Sequence, residues 1–220
     1  FGDEAGHDTT EGFENAFFGN HTGSSTTTGW YNSAFGVASF RANTTGINNS
    51  VLGFGALADS TTGNSNTVIG TFAANKSATS NGFVAVGYNA RRYLADGTTD
   101  CLTGDNGVYI GNDTRASADG TANEIAIGLE CIGSGSNTVT LGNTSIERTF
   151  LRGAINVAGD TWHKGSGSER VYYVASGSSI YRGSGATPHQ WMNSAGDVRM
   201  TLSTAGNLNV VGSFQAGSFA

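Results

Sequence analysis

The sequence predicts an all-β chain of stacked β-coils, a parallel β-roll or β-helix with a period of 17 residues, followed by a small all-β C-terminal unit. Three observations predict it. First, Gly2, Gly19, Gly36, Gly53, Gly70 and Gly87 stand 17 residues apart, and the ladder resumes at Gly111 and Gly128 and closes at Gly142. A fixed period in this range marks a repeat architecture and outranks local signals. Second, large apolar residues recur at one phase of that period. Third, the chain beyond Gly142 loses the period but keeps short β-rich runs between Gly-containing turns. These observations divide the chain into a repetitive segment 1–145, a transition 146–161 and a terminal unit 162–220.

With the ladder glycine as zero, position −1 holds Phe1, Phe18, Phe35, Leu52, Ile69, Val86, Ile110, Ile127 and Leu141. Position −3 holds Ala16, Ser33, Ser50, Thr67, Val84, Val108, Ile125 and Val139. In a strand these two point to one face and position −2 to the other. Position −2 is often apolar as well, at Phe17, Val51, Val68 and Tyr109, so both faces need cover. The expectation is that each coil buries its −1 side chain, and that neighbouring chains cover the −2 face in an oligomer. Position +3 is small throughout, from Ala5 to Ser145. A second turn glycine at −7 (Gly12, Gly29, Gly46, Gly63, Gly104 and Gly135) predicts two short strands per coil. Asparagine precedes the strand at Asn15, Asn32, Asn49 and Asn66, then one place earlier at Asn106, Asn123 and Asn137. Asn tolerates unusual backbone angles at turns, and stacked Asn side chains hydrogen-bond along a ladder. Phe1-Gly2 already matches Phe18-Gly19, which predicts further coils upstream.

The composition is rich in Gly, Ser, Thr and Asn, but the apolar residues recur in register, which disorder does not produce. A net charge of −6 argues against a nucleic-acid partner. No apolar run approaches the length of a membrane span, so no membrane insertion is expected. Cys101 and Cys131 fall at different phases and read as free thiols, too few for a metal framework. His7, His21, His163 and His189 are isolated, and no metal or cofactor is expected. No nucleophile elbow, phosphate loop or zinc-protease motif is present. Asp96, Asp100, Asp105, Asp113, Asp119, Glu124 and Glu130 supply carboxylates enough for a glycosidase pair, but solvated turn residues account for them, and no catalytic residue is assigned.

Between Gly87 and Gly111 the step lengthens to 24 residues. Insertions in repeat proteins form surface loops, often on the binding face. This one gathers Tyr88, Arg91, Arg92, Tyr93 and Asp96, the candidate receptor-binding residues. Aromatic rings, planar cations and a carboxylate suit a sugar or an anionic polymer. The alternative is a solvated or subunit-contacting loop without a ligand.

In the terminal unit, 171–174, 180–181, 198–202 and 208–211 read as strands, with Pro188 between strands.

The repeat motif, N-x-A/V-Φ-G with Thr-Thr-Gly turns, resembles the head repeats of trimeric autotransporter adhesins and the repeat regions of bacteriophage tail fibres. The 14-residue step from Gly128 to Gly142 is similar to the adhesin-head period, and the 17-residue steps depart from it. Trp191-Met192-Asn193-Ser194-Ala195-Gly196, Met200-Thr201-Leu202, Gly206-Asn207-Leu208-Asn209-Val210 and Gly212-Ser213-Phe214-Gln215-Ala216-Gly217-Ser218-Phe219 resemble the segment preceding the endosialidase-type intramolecular chaperone of phage fibres. That resemblance implies an elongated homotrimer, extracellular on a virion tail fibre, whose C-terminal chaperone is cut away near Ala220. The implied role is structural and adhesive, attaching to a host surface glycan or protein receptor. A polysaccharide-degrading tailspike, and a bacterial trimeric adhesin or extracellular filament, are the alternatives.

Overall fold

The computed structural model describes residues 2–146 and 148–150, and beyond them the backbone of five strands. Position 147, the transition from 151 onward, the turns between the later strands and the last ten residues lie outside the described residues, as do Phe1 and His163. The chain forms two compact units, Phe1–Phe150 and Leu151–Ala220.

The first unit is a β-solenoid of about seven turns. Each coil contributes one three-residue strand: β1 (Ala16–Phe18), β2 (Ser33–Phe35), β3 (Ser50–Leu52), β4 (Thr67–Ile69), β5 (Val84–Val86), β6 (Val108–Ile110), β7 (Ile125–Ile127) and β8 (Val139–Leu141). They pair in chain order as one parallel sheet. Register is strict: Phe18 lies opposite Phe35, Phe35 opposite Leu52, and Leu52 opposite Ile69. At the usual strand spacing the seven steps rise about 34 Å. Among the described residues the expected second strand per coil does not form, and only the isolated parallel bridges Leu94–Ala116 and Arg115–Ile132 mark it. The far side of each coil is a run of turns, held by bonds such as Gly23 N–H to Ser39 O (3.1 Å) and Leu57 N–H to Ala73 O (3.0 Å).

The ladder glycines have a steric cause. Gly53 has φ +138°, and a Cβ there would sit 2.5 Å from the carbonyl oxygen of Gly70 in the next coil. Successive backbones approach too closely at this corner for any side chain.

The burial of the strand corrects the sequence reading. The −2 side chain faces inward: Ala34, Val51, Val68, Ala85, Tyr109 and Ala126 are buried. The −1 side chains, expected inside, face outward. The lumen has no room for a large residue at every coil. In the coils of β1 to β5 it is filled jointly by position −2 and by position +4 on the opposite wall, and at β1 and β2 a large residue at one meets a small one at the other; in the later coils Arg115 and Ile132, at +4, are not buried. Phe17 is matched by Gly23, whose added Cβ would lie 2.6 Å from the Phe17 ring. Ala34 shares its core with Phe40, Val51 with Leu57, and Val68 with Ala74. The small +3 residues, including Thr22, Ser39, Ala56, Ala73 and Ala90, complete the packing.

Asparagine at −4 also points inward and forms the expected ladder. Asn49 donates its side-chain amide to Asn32 Oδ1 (3.0 Å) and to Gly63 O (2.8 Å), while Asn66 N–H donates to Asn49 Oδ1 (3.0 Å). Position −5 instead has left-handed backbone in every coil. Asn106, Asn123 and Asn137 occupy it because Asn tolerates that conformation.

The second unit holds an antiparallel sheet in the order β13-β12-β11-β10-β9, with β9 (Arg170–Tyr172), β10 (Ile180–Ser184), β11 (Thr187–Met192), β12 (Val198–Leu202) and β13 (Leu208–Val210). Pro188 lies within β11 rather than between strands. It falls at the register shift opposite Arg182 and Ser184, before pairing with β12 begins at His189, where a missing N–H costs no ladder bond.

Candidate functional site

The long step makes a hairpin outside the coil. Tyr93 and Asp100 form an antiparallel bridge, and Leu94 N–H donates to Thr99 O (2.8 Å). Gly97, with φ +74°, makes the turn. Asp96 closes it, accepting from Thr98 N–H (2.9 Å), Thr99 N–H (2.8 Å) and the Thr99 hydroxyl (2.5 Å). The Thr99 hydroxyl, with both amides, holds the Asp96 carboxyl down at about 2. Asp96 is therefore ionised at neutral pH, and its lone pairs are largely committed to its own loop.

The five candidate residues, Asp96 among them, separate into four groups. Arg91 is a correction: it is buried, not a surface cation. It takes the +4 position, where left-handed backbone at φ +56° turns it into the lumen. Its guanidinium lies 4.2 Å from the Phe83 ring centroid and 5.5 Å from that of Tyr109. It donates to the Ser77 and Ser80 hydroxyls and to the carbonyls of Thr103 (3.0 Å) and Gly104 (2.8 Å). Arg92 and Tyr93 are brought together at the surface. The Arg92 guanidinium lies 4.8 Å from the centroids of both Tyr93 and Phe72, and it donates to Asn89 Oδ1 (3.2 Å). Tyr88 is half exposed, at the +1 position that Phe54 and Val37 occupy two and three coils away. The surface remaining for a ligand is thus Tyr88, Arg92, Tyr93 and the outer edge of Asp96, with Phe72 as an unforeseen second ring. Phe72 sits at +2 of the preceding coil, so stacking the sequence in 17-residue rows would have placed it beside the insertion.

Beyond Arg91 the lumen holds a second apolar cluster, Cys101, Tyr109, Ala116, Ala126 and Cys131, with a buried carboxylate beside it. Glu124 is buried and accepts from the Tyr109 hydroxyl (3.0 Å), Thr121 Oγ1 (3.1 Å), Ser117 N–H (3.3 Å) and Gly135 N–H (2.8 Å). Burial pushes the Glu124 carboxyl up, but these donors outweigh it and hold the group below its ordinary value. Burial pushes the Tyr109 phenol up to about 12. Glu124 and Gly107 hold the −4 positions of their coils, where the Asn ladder has ended. Other acidic residues cap backbone: Asp105 accepts from Asn81 N–H (2.7 Å) and Asp119 from Leu102 and Thr103 N–H (2.9 and 2.7 Å). Among the described residues no group of three or more side chains is placed to hold a metal ion.

Outside the strand stands an unbroken apolar row. Phe18, Phe35, Leu52, Ile69, Ile110, Ile127 and Leu141 each keep between 37 and 51% of their surface accessible, and Val86 is half-buried. Phe18 and Phe35 stack with centroids 4.7 Å apart. Comparison with family models, curated proteins and solved structures returned no match.

Proposed function

We propose that the solenoid is the shaft of an extracellular homotrimeric fibre of the bacteriophage tail-fibre type, with a structural and adhesive rather than enzymatic role. One observation carries this reading: the apolar −1 row runs along all eight strands and faces outward. Monomers rarely leave so long an apolar stripe in water. A row repeated in register suits a partner with the same repeat, and a second and third copy of this chain provide one. The number three comes from the resemblance of the repeats to trimeric heads and fibres. Three copies multiply any weak surface site, so the hairpin at Arg92 and Tyr93 gains avidity toward a host glycan or protein receptor. Sedimentation equilibrium of wild type and Ile69→Asp tests the assembly. The reading expects a trimer that dissociates in the variant, and a wild-type monomer refutes it.

A further inference from the structure

Three aromatic rings stand together on the outside of the first two coils. Phe13 and Trp30 share the −6 position of successive coils, with ring centroids 4.9 Å apart. Tyr31 lies beside Trp30 at 5.2 Å with planes 20° apart, and meets Phe13 edge-on at 5.9 Å. Phe13, Trp30 and Tyr31 remain 49, 37 and 48% exposed. Consecutive residues of an extended chain point to opposite sides. Trp30 and Tyr31 share a side because Tyr31 has left-handed backbone, φ +57°.

That backbone makes tyrosine a costly choice. The other −5 positions hold Asn48, Ser65, Gly82, Asn106, Asn123 and Asn137, with Glu14 the only other long side chain. Phe40, Leu57 and Arg91 are also bulky on left-handed backbone but are buried in return, Phe72 is half-buried there against Arg92, and the exposed long side chains that share it, Glu4, Glu14 and Glu130, are charged. Tyr31 accepts the same strain and stays half exposed. Its packing return is limited to the Phe13 and Trp30 rings, and an apolar ring held there half in water points to a functional position.

The chemistry of the ledge selects its ligand. Exposed Trp and Tyr rings suit a partner that is apolar on one face and polar at its edge. A pyranose offers this: its axial C–H groups carry partial positive charge toward the negative ring face, and its hydroxyls project sideways. The Glu14 carboxylate lies against the Tyr31 hydroxyl at the rim, and its charge raises the phenol's pKa. That carboxylate can accept from a sugar hydroxyl, while it and the net charge of −6 oppose an anionic sugar.

We propose that Phe13, Trp30, Tyr31 and Glu14 form a binding ledge for a neutral hexopyranose, separate from the hairpin at residues 92–100. It supplies a ligand class for the attachment role, and rests on that role only for its biological use. The test is direct binding of the full chain to immobilised neutral hexasaccharides of glucose, galactose and N-acetylglucosamine, with polysialic acid as the charged control. Saturable binding to at least one neutral sugar is expected, weaker by tenfold or more in Trp30→Ala and in Tyr31→Asn, with none to polysialic acid. Tyr31→Asn installs the residue that Asn48 supplies at the same position, so its thermal midpoint should stay within about 3 °C of wild type. Absence of binding to every neutral sugar overturns the ledge, as does binding that survives both variants. Variants that change the mass of the assembly instead assign the rings to a contact between copies and also overturn it. A trimer that binds none of the sugars overturns the ledge and leaves the shaft standing. A monomer that binds them supports the ledge and refutes the shaft.

Discussion

A single residue decides whether two coils can touch. At Gly53 a methyl group meets both a forbidden φ and a carbonyl oxygen 2.5 Å away, so Gly53→Ala should cost about 3 kcal/mol or more in urea unfolding. Asn48→Gly, on a backbone that either residue tolerates, should cost a few tenths. Tyr109 makes a second prediction, on pH. Its phenol ionises near 10 when unfolded and near 12 when folded, so its stabilisation is complete below pH 10 and is lost as pH rises toward 12. The loss is roughly 2–3 kcal/mol across that window. Tyr109→Phe should flatten this alkaline slope, while costing about 1–3 kcal/mol at neutral pH because Glu124 loses a donor. A slope unchanged by the substitution would show that Tyr109 is not its source. The ladder glycines and small +3 residues were legible in the sequence, because their cause repeats every 17 residues. Arg91 was not, because its inward turn depends on left-handed backbone at +4, which a list of side chains does not reveal.

At the scale of the element, the sequence showed that both faces of the strand were apolar but suggested the wrong one for the interior. The clue lay in compensation rather than hydrophobicity. In the first two coils position −2 shrinks where +4 grows, Phe17 with Gly23 and Ala34 with Phe40, whereas −1 is large at every coil. Only residues sharing one closed volume trade size in this way. The same logic separates the two kinds of asparagine. Asn49 is buried and bonded to the coils on both sides, so Asn49→Ala should cost about 3 kcal/mol by leaving Gly63 O and Asn66 N–H unsatisfied. Asn137, exposed on the −5 corner, should cost well under 1 kcal/mol when replaced by Gly. On the coil and its hairpin, Tyr88→Ala and Arg92→Ala should leave thermal stability nearly unchanged and, under the proposed role, weaken attachment to receptor-bearing cells. Arg91→Ala should destabilise by about 3–5 kcal/mol through a polar cavity, before any effect on attachment can be read. Equal thermal effects of the Arg91 and Arg92 substitutions would contradict the division between buried and surface arginine.

At the scale of the whole molecule, the existence of the solenoid followed from the fixed period, and its thinness follows from the residues chosen to fill it. A lumen lined mostly by Ala, Ser, Thr, Asn and Gly, with one or two larger side chains per coil, buries little apolar surface for the backbone it orders. The outward row from Phe18 to Leu141 is the apolar area left over, and the proposed trimer would bury it. The most direct measurement is sedimentation equilibrium of the intact chain at low micromolar concentration. The account predicts one species at three times the chain mass of 22.5 kDa, converted to monomer by Ile69→Asp while the solenoid's β circular dichroism persists. A wild-type chain that sediments at 22.5 kDa with the same β signal would contradict it.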